Sequence, residues 1–167
     1  ILKKILPKKT FLEYLVDRLK KVKTIKKIII ATSKKKDDDK ICALKFKNIY
    51  FHRGSEKNVI KRYIETAEKY GLKHILRITA DCPFSDAKLI DKLTIKYFSG
   101  KYSYLSNVNP PTLPNGFDIE IFSLKLLKKS YKNYKDKMNK EHVTFAIRKK
   151  MRIRKYNFRL SKNLNHI

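Results

Sequence analysis

Apolar positions recur along this chain with two periods, one helical and one extended. Phe11, Leu12, Leu15, Val16, Leu19 and Val22 are three or four apart, which predicts an amphipathic helix over residues 10–22. Thr10 and Glu13 stand at capping-box spacing at its start. Lys26 to Thr32 reads as a strand built on Ile28, Ile29 and Ile30. Asp37, Asp38 and Asp39 favour the positive end of a helix running to about Lys47. Ile49 to His52 reads as a short strand, and Ser55 as the cap of a helix that ends at Tyr70 before Gly71. In that helix Val59, Ile60, Tyr63, Ile64 and Ala67 share one face. His74 to Thr79 follows as a strand and Asp86 to Tyr97 as a helix with Leu89, Ile90, Leu93 and Tyr97 inward.

Strand and helix thus alternate over residues 10–100, the signature of an α/β domain with a mostly parallel sheet. The remainder has a different texture. Tyr102 to Ser106 and Phe117 to Phe122 read as strands on either side of the Pro-rich stretch 109–116. Two helices are predicted over 123–135 and 139–150, then a basic strand over 153–160. Neither an internal repeat nor a dividing linker is visible, so residues 1–167 read as a single domain.

Charge alters this picture less than its size implies. The 167 residues carry 42 Lys and Arg against 15 Asp and Glu, a formal net charge of +27. Such an excess points first to a nucleic-acid partner. Residues 1–36 hold 13 basic and 2 acidic residues, and residues 125–167 hold 15 and 2. Residues 37–124 hold 14 and 11 and are nearly balanced. Lys outnumbers Arg by 34 to 8, whereas nucleic-acid readers favour the bidentate guanidinium. A/T-rich codon usage accounts for the Lys, Ile, Asn and Tyr content, so a basic nucleic-acid-binding module is the alternative reading rather than the leading one. The apolar run Ile28 to Ala31 is far too short to span a bilayer. Cys42 and Cys82 form no CxxC pair, which fits a reducing cytoplasm.

In an open parallel sheet, ligands bind beyond the carboxyl ends of the strands. That rule selects Thr32 and the acidic segment after it, Arg53-Gly54-Ser55, and Ala80-Asp81-Cys82-Pro83. Asp81 could hold Mg²⁺, which takes one or two protein carboxylates and completes its shell with phosphates and water. It could equally cap the turn or the next helix. Arg53 beside Gly54 could approach a phosphate, or be a surface Arg on a turn. Asp118 and Glu120 alternate on one strand face, opposite Ile119 and Ile121. They could read sugar hydroxyls or a cation, or simply face solvent. Glu141 and His142 fall in the first turn of a predicted helix, where Glu suits the dipole. Cys82 reads as a packing residue rather than a nucleophile. GxxxxGK[ST], GxGxxG and HExxH are all absent from the sequence.

Taken in order, Thr10-Phe-Leu-Glu-Tyr-Leu15, Ile28-Ile-Ile-Ala-Thr-Ser33, Phe51-His-Arg-Gly-Ser55 with Val59 and Arg62-Tyr63, Arg77-Ile-Thr-Ala-Asp-Cys-Pro83, Ser106-Asn-Val-Asn109, Asn115-Gly-Phe-Asp-Ile-Glu120 and Glu141-His-Val-Thr144 form one series. The series resembles cytidylyltransferases of the spore coat polysaccharide biosynthesis protein F type, which are similar to the CMP-Kdo and CMP-sialic acid synthetases. The resemblance implies a Rossmann-like α/β/α sandwich of the nucleotide-diphospho-sugar transferase type. It implies transfer of CMP from CTP to an acidic or modified sugar for surface glycan synthesis, with release of pyrophosphate and use of Mg²⁺. Asp81 matches the family's metal-associated aspartate, and Arg77 lies in the same motif, where it orients Asp81. Thr32, Arg53, Gly54 and Ser55 match the nucleotide side. Asp118, Glu120, Glu141 and His142 match segments lining the sugar side. Related enzymes imply a homodimer.

The family pattern also includes a buried first strand with an A-R-x-x-S-x-R-L-P-G-K loop that grips the triphosphate, and a later R-x-T-x-D-x-x-E-D segment with a second metal-associated aspartate. The first and last residues here, Ile1 to Leu6 and Asn163 to Ile167, resemble the stretches just inside those two pieces. The expectation is therefore an internal fragment lacking the first strand and the triphosphate loop, and weakly active or inactive alone. An inactive nucleotide-binding relic is the further alternative.

Overall fold

The computed structural model describes residues 1–166. An antiparallel hairpin of β1 (Lys4–Leu6) and β2 (Lys9–Thr10) opens the chain, where no strand is predicted from the pattern. Helix α1 (Phe11–Leu19) follows, and its start is the expected capping box. Thr10 Oγ1 accepts from the Glu13 amide at 3.2 Å, and Glu13 Oε2 accepts from the Thr10 amide at 2.8 Å. The helix ends at Leu19, three residues early, yet Val22 is still buried because the chain closes with tight turns to Arg18 and Leu19.

Strand β3 (Ile28–Ser33) pairs in parallel with β4 (Ile49–Gly54), Ile28 opposite Ile49 and Ser33 opposite Gly54. Between them the short helix expected to reach about Lys47 ends already at Cys42. A single 3₁₀ turn, Lys36–Asp38, leads into the four-residue α2 (Asp39–Cys42). The Asp38 carboxylate turns back to Ser33 and Thr32, a local bond that competes with helix formation. Helix α3 (Val59–Lys69) is capped by Asn58 rather than Ser55. Asn58 Oδ1 accepts from the Lys61 amide at 3.1 Å, while Ser55 Oγ accepts from the Asn58 amide at 3.0 Å.

Strand β5 (His74–Arg77) precedes α4 (Ala87–Ser99), whose cap is Asp86. Strands β6 (Tyr104–Ser106), β7 (Glu120–Ser123) and β8 (Lys155–Asn157) complete a sheet in the order β5-β7-β6-β8, with β6 and β8 parallel. Between β7 and β8 run α5 (Leu124–Asn133), α6 (Lys137–Glu141) and α7 (Phe145–Lys149). The single helix expected over 139–150 is thus broken. Asn139, fully buried, donates to the Tyr134 carbonyl at 2.8 Å and accepts from the Ala146 amide at 3.2 Å. That bridge satisfies the start of α7 across the break. Glu141 accordingly ends a helix and His142 caps its carboxyl end, which corrects their expected place in a first turn.

The chain divides into two compact units. One comprises residues 1–26, 76–121 and the described residues from 153 onward, around a core of Val22, Ile90, Leu93, Tyr97, Leu105, Ile119 and Ile121. Burial pushes the Tyr97 phenol up to about 12, so it stays neutral in that core. The other comprises residues 27–75 and 122–152 and buries Ile60, Ala67, Leu127, Val143 and Ile147. Across it, Asn58 donates to Tyr131 Oη at 3.1 Å and Lys128 pairs with Glu68 at 2.5 Å. No helix among the described residues is long and apolar enough to cross a membrane.

Candidate functional site

The loop beyond β5 is built from the Thr79–Cys82 turn, closed by the Cys82 amide donating to the Thr79 carbonyl at 3.0 Å. Asp81 is exposed on this turn. Asp86 caps α4, accepting from the Leu89 amide at 2.8 Å, so Asp81 has no part in that cap. The Cys82 thiol lies 3.7 Å from Asp81 Oδ1 and 3.2 Å from Thr79 Oγ1, and the backbone of Asp118 also bonds it. Cys82 is 4% exposed, and burial pushes its thiol up despite these hydrogen bonds. It is therefore a neutral packing group rather than a nucleophile. Around it stand Asp81 and Asp118, both exposed carboxylates.

Glu120 has a different environment. It is 3% exposed; Tyr104 Oη donates to its Oε1 at 2.5 Å, and the Arg77 guanidinium pairs with its Oε2. The two carboxylates expected on one polar strand face differ: Glu120 in β7 is buried, whereas Asp118, which precedes β7, is exposed. A buried carboxylate needs such partners, because desolvation otherwise expels its charge. The fixed guanidinium of Arg77 sits four residues before Asp81 and anchors the strand end from which the Asp81 turn departs.

The residues after β3 and β4 form a second polar cluster. Asp38 Oδ2 accepts from Thr32 Oγ1 at 2.7 Å, the Ser33 amide at 2.9 Å and Ser33 Oγ at 2.6 Å. Hydrogen bonds from Ser33, then Thr32, hold its carboxyl below the ordinary range. Arg53 donates through Nε to the Ser33 carbonyl at 2.9 Å, through Nη1 to Asp39 at 2.5 Å and through Nη2 to the Lys35 carbonyl at 2.6 Å. The guanidinium therefore shapes this loop. Gly54 is explained by a close approach: a Cβ there would stand 2.7 Å from Arg62 Cγ and 3.3 Å from Arg62 Cα. Arg62 Nη1 donates to the Ser55 carbonyl at 3.0 Å, locking the turn into α3.

Arg77 and Glu120 are thus brought into direct contact, Asp81 and Asp118 are gathered around Cys82, and all four lie in the first unit. Thr32, Arg53, Gly54 and Ser55 lie in the second, as do Glu141 and His142, which are exposed at the end of α6. Sequence reasoning missed Tyr104, carried Arg62 only within the family series and took Asp38 only as part of an acidic segment; all three fix these loops. Asp38 is one of three consecutive aspartates, and nothing in that run marks which one turns inward. The Pro-rich stretch is fastened as well. Asn107 donates to the Phe117 carbonyl and accepts from the Ile119 amide, both at 2.8 Å, and Asn157 donates to the Pro110 carbonyl at 2.9 Å. Among the described residues no group of three or more His, Cys, Asp and Glu could hold a metal.

Parallel β3–β4 and β6–β8 ladders, with polar loops beyond the strand ends, define a Rossmann-like α/β protein. The chain belongs to the cytidylyltransferase family, whose model matches residues 2–165. It is 38% identical over 134 residues to an uncharacterised protein of Methanocaldococcus jannaschii, covering 80% of this chain and 54% of that protein. It is 30% identical over 128 residues to the spore coat polysaccharide biosynthesis protein SpsF of Bacillus subtilis, covering 72% and 50%. The chain thus spans about half the length of these curated relatives. A cytidylyltransferase structure from Leptospira borgpetersenii superposes with a TM-score of 0.89 at 27% identity, covering 96% of this chain and 69% of that one. The 4-diphosphocytidyl-2C-methyl-D-erythritol synthase structure from Anaerococcus prevotii, at a TM-score of 0.59 and 16% identity, shares the fold; 94% of this chain and 82% of that one are covered.

Proposed function

We propose that the protein to which this chain belongs transfers CMP from CTP to an acidic or modified sugar, releasing pyrophosphate, in the synthesis of a surface polysaccharide. One observation carries this reading. Asp81 presents an exposed carboxylate at the carboxyl end of β5, where open α/β sheets bind their ligands, and it caps no helix. A lone hard oxygen donor of this kind, with the Asp118 carboxylate nearby, suits Mg²⁺, which needs only one or two protein carboxylates beside substrate phosphates. Asp81 would hold that ion; when bound it supplies neutralisation of triphosphate charge. Arg77 and Glu120 keep the Asp81 strand end in place. Arg53 and Asp38 hold the Thr32–Ser33 loop in one conformation for the nucleotide side, with Gly54 and Ser55 at its edge. Asp118 accepts from sugar hydroxyls, and Glu141 and His142 are assigned to the acceptor by the family resemblance alone. Nucleotidyl transfer relies on positioning and charge neutralisation rather than on a covalent nucleophile, which agrees with a protonated Cys82. The two free thiols suit a cytoplasmic enzyme.

Thermal unfolding in the presence of nucleotides tests the reading. CTP with Mg²⁺ should raise the melting temperature more than UTP or ATP does, and Asp81→Asn should abolish the Mg²⁺-dependent part of that rise. Equal shifts in wild type and variant, or no shift with CTP, would overturn it.

A further inference from the structure

The segment 82–85 contains one residue that does not follow its neighbours inward. Cys82 is 4% exposed, Ser85 is fully buried and Pro83 is buried, yet Phe84 between them is 44% exposed. A single exposed apolar side chain ordinarily needs no explanation. Phe84 differs because it is exposed and also held. Its amide donates to the Gly116 carbonyl at 3.1 Å, and its carbonyl accepts from Arg18 Nη2 at 3.3 Å. Arg18 Nε clamps the next carbonyl, that of Ser85, at 2.8 Å. The Phe84 ring stacks on Phe117 with centroids 6.0 Å apart and planes 30° from parallel. Gly116 adopts φ +97°, a conformation that favours glycine, and a Cβ there would stand 2.9 Å from Phe84 Cδ2. The glycine beneath the ring thus leaves the room that a side chain would take.

An aromatic ring ordered before any ligand arrives has little conformational freedom left to lose on binding. Two exposed carboxylates accompany this pair of rings. Asp81 lies three residues before Phe84, Asp118 lies one residue after its stacking partner Phe117, and both stand around Cys82. An apolar platform with the exposed Asp118 carboxylate next to its stacking partner matches a pyranose, whose ring presents C–H bonds on its face and hydroxyl donors at its rim. A nucleobase also stacks on an aromatic ring, and the response to CMP alone separates the two ligands. We propose that Phe84 is the platform on which the acceptor sugar rests and is a determinant of acceptor choice; this assignment rests on the activity proposed above.

The chain contains no tryptophan, so Phe84→Trp installs a single indole fluorophore at the platform. Its emission should shift or quench on titration with at least one of a panel of CMP-linked acidic sugars (CMP-N-acetylneuraminate and CMP-Kdo among them), and should change little with CMP alone. Phe84→Ala should weaken binding of the responding CMP-sugar about tenfold while leaving the affinity for CTP with Mg²⁺ within about twofold. An equal response to CMP and to the CMP-sugars would make the ring a base platform and overturn the proposal. So would a silent indole in the Phe84→Trp variant, or an unchanged CMP-sugar affinity in Phe84→Ala, in a protein that CTP still stabilises. If CTP fails to stabilise the wild-type chain, the proposed activity falls first, and with it the acceptor.

Discussion

Two loops of this molecule begin alike and end differently. Each leaves the carboxyl end of a strand, and each carries an aspartate four or five residues beyond it: Asp38 after β3 and Asp81 after β5. Asp38 accepts three hydrogen bonds on one oxygen, two of them from hydroxyl groups. Asp81 is exposed, and the Cys82 thiol at 3.7 Å is a far weaker partner. A carboxylate oxygen already claimed by three protein donors fixes the backbone around it, whereas an open one is available to a cation. Residue type and topological place are therefore insufficient to mark a site. What separates scaffold from ligand is whether the donors nearby have already claimed the oxygen atoms.

The most damaging way to break the open loop is from beneath. Arg77→Ala should strip the buried Glu120 carboxylate of its guanidinium, at a cost of about 3–5 kcal/mol in urea unfolding. Removing both charges together, as Arg77→Met with Glu120→Gln, should recover most of that loss. A single-variant cost under about 1 kcal/mol would show that the pair does not anchor the strand.

Gly54→Ala attacks the closed loop in the same manner. The new methyl group meets the stem and backbone of Arg62 rather than a flexible tip, so about 1–3 kcal/mol is expected. Truncating the neighbour as well, in Gly54→Ala with Arg62→Ala, should give less than the sum of the two single effects, measured as a double-mutant cycle.

Asp38→Asn is milder, about 1–2 kcal/mol, because the amide keeps one acceptor oxygen but loses the charge assistance. It also carries a pH signature. The Asp38 carboxyl titrates below its ordinary 3.8 in the fold, so its contribution is complete above that pH and is lost as pH falls through the lower folded value. The difference in stability between wild type and Asp38→Asn should therefore shrink below about pH 3.8, and a gap that stays constant to about pH 2 would count against the assigned hydrogen bonds.

The parts of this structure legible in sequence are those fixed by near neighbours. Thr10 and Glu13 mark the start of α1 because both halves of the capping box lie three residues apart. Asp81 is selected by the strand-end rule, which needs only the strand before it. The parts that were not legible depend on partners far along the chain. Glu120 takes its role from Arg77, 43 residues away, and the two have no common local pattern. The break between α6 and α7 follows from Asn139 reaching Tyr134 and Ala146, while the sequence around Glu141 and His142 is helical enough to hide it. Asp38 shortens a helix by bonding backward, and helix-start logic assigns all three aspartates of its run to the opposite task.

Asp81→Asn is expected to have the smallest effect on stability, within about 0.5 kcal/mol, since the exposed carboxylate supports no cap and only one weak thiol contact. Its value lies in being crossed with Asp38→Asn. If the two loops divide as their hydrogen bonds indicate, Asp38→Asn should lower the melting temperature in buffer yet keep a Mg²⁺-dependent response to CTP. Asp81→Asn should do the reverse, unfolding like wild type in buffer and losing that response. Parallel loss in both variants would mean that the loops act through a common structural collapse. A Mg²⁺ response retained in full by Asp81→Asn would overturn the proposed metal site.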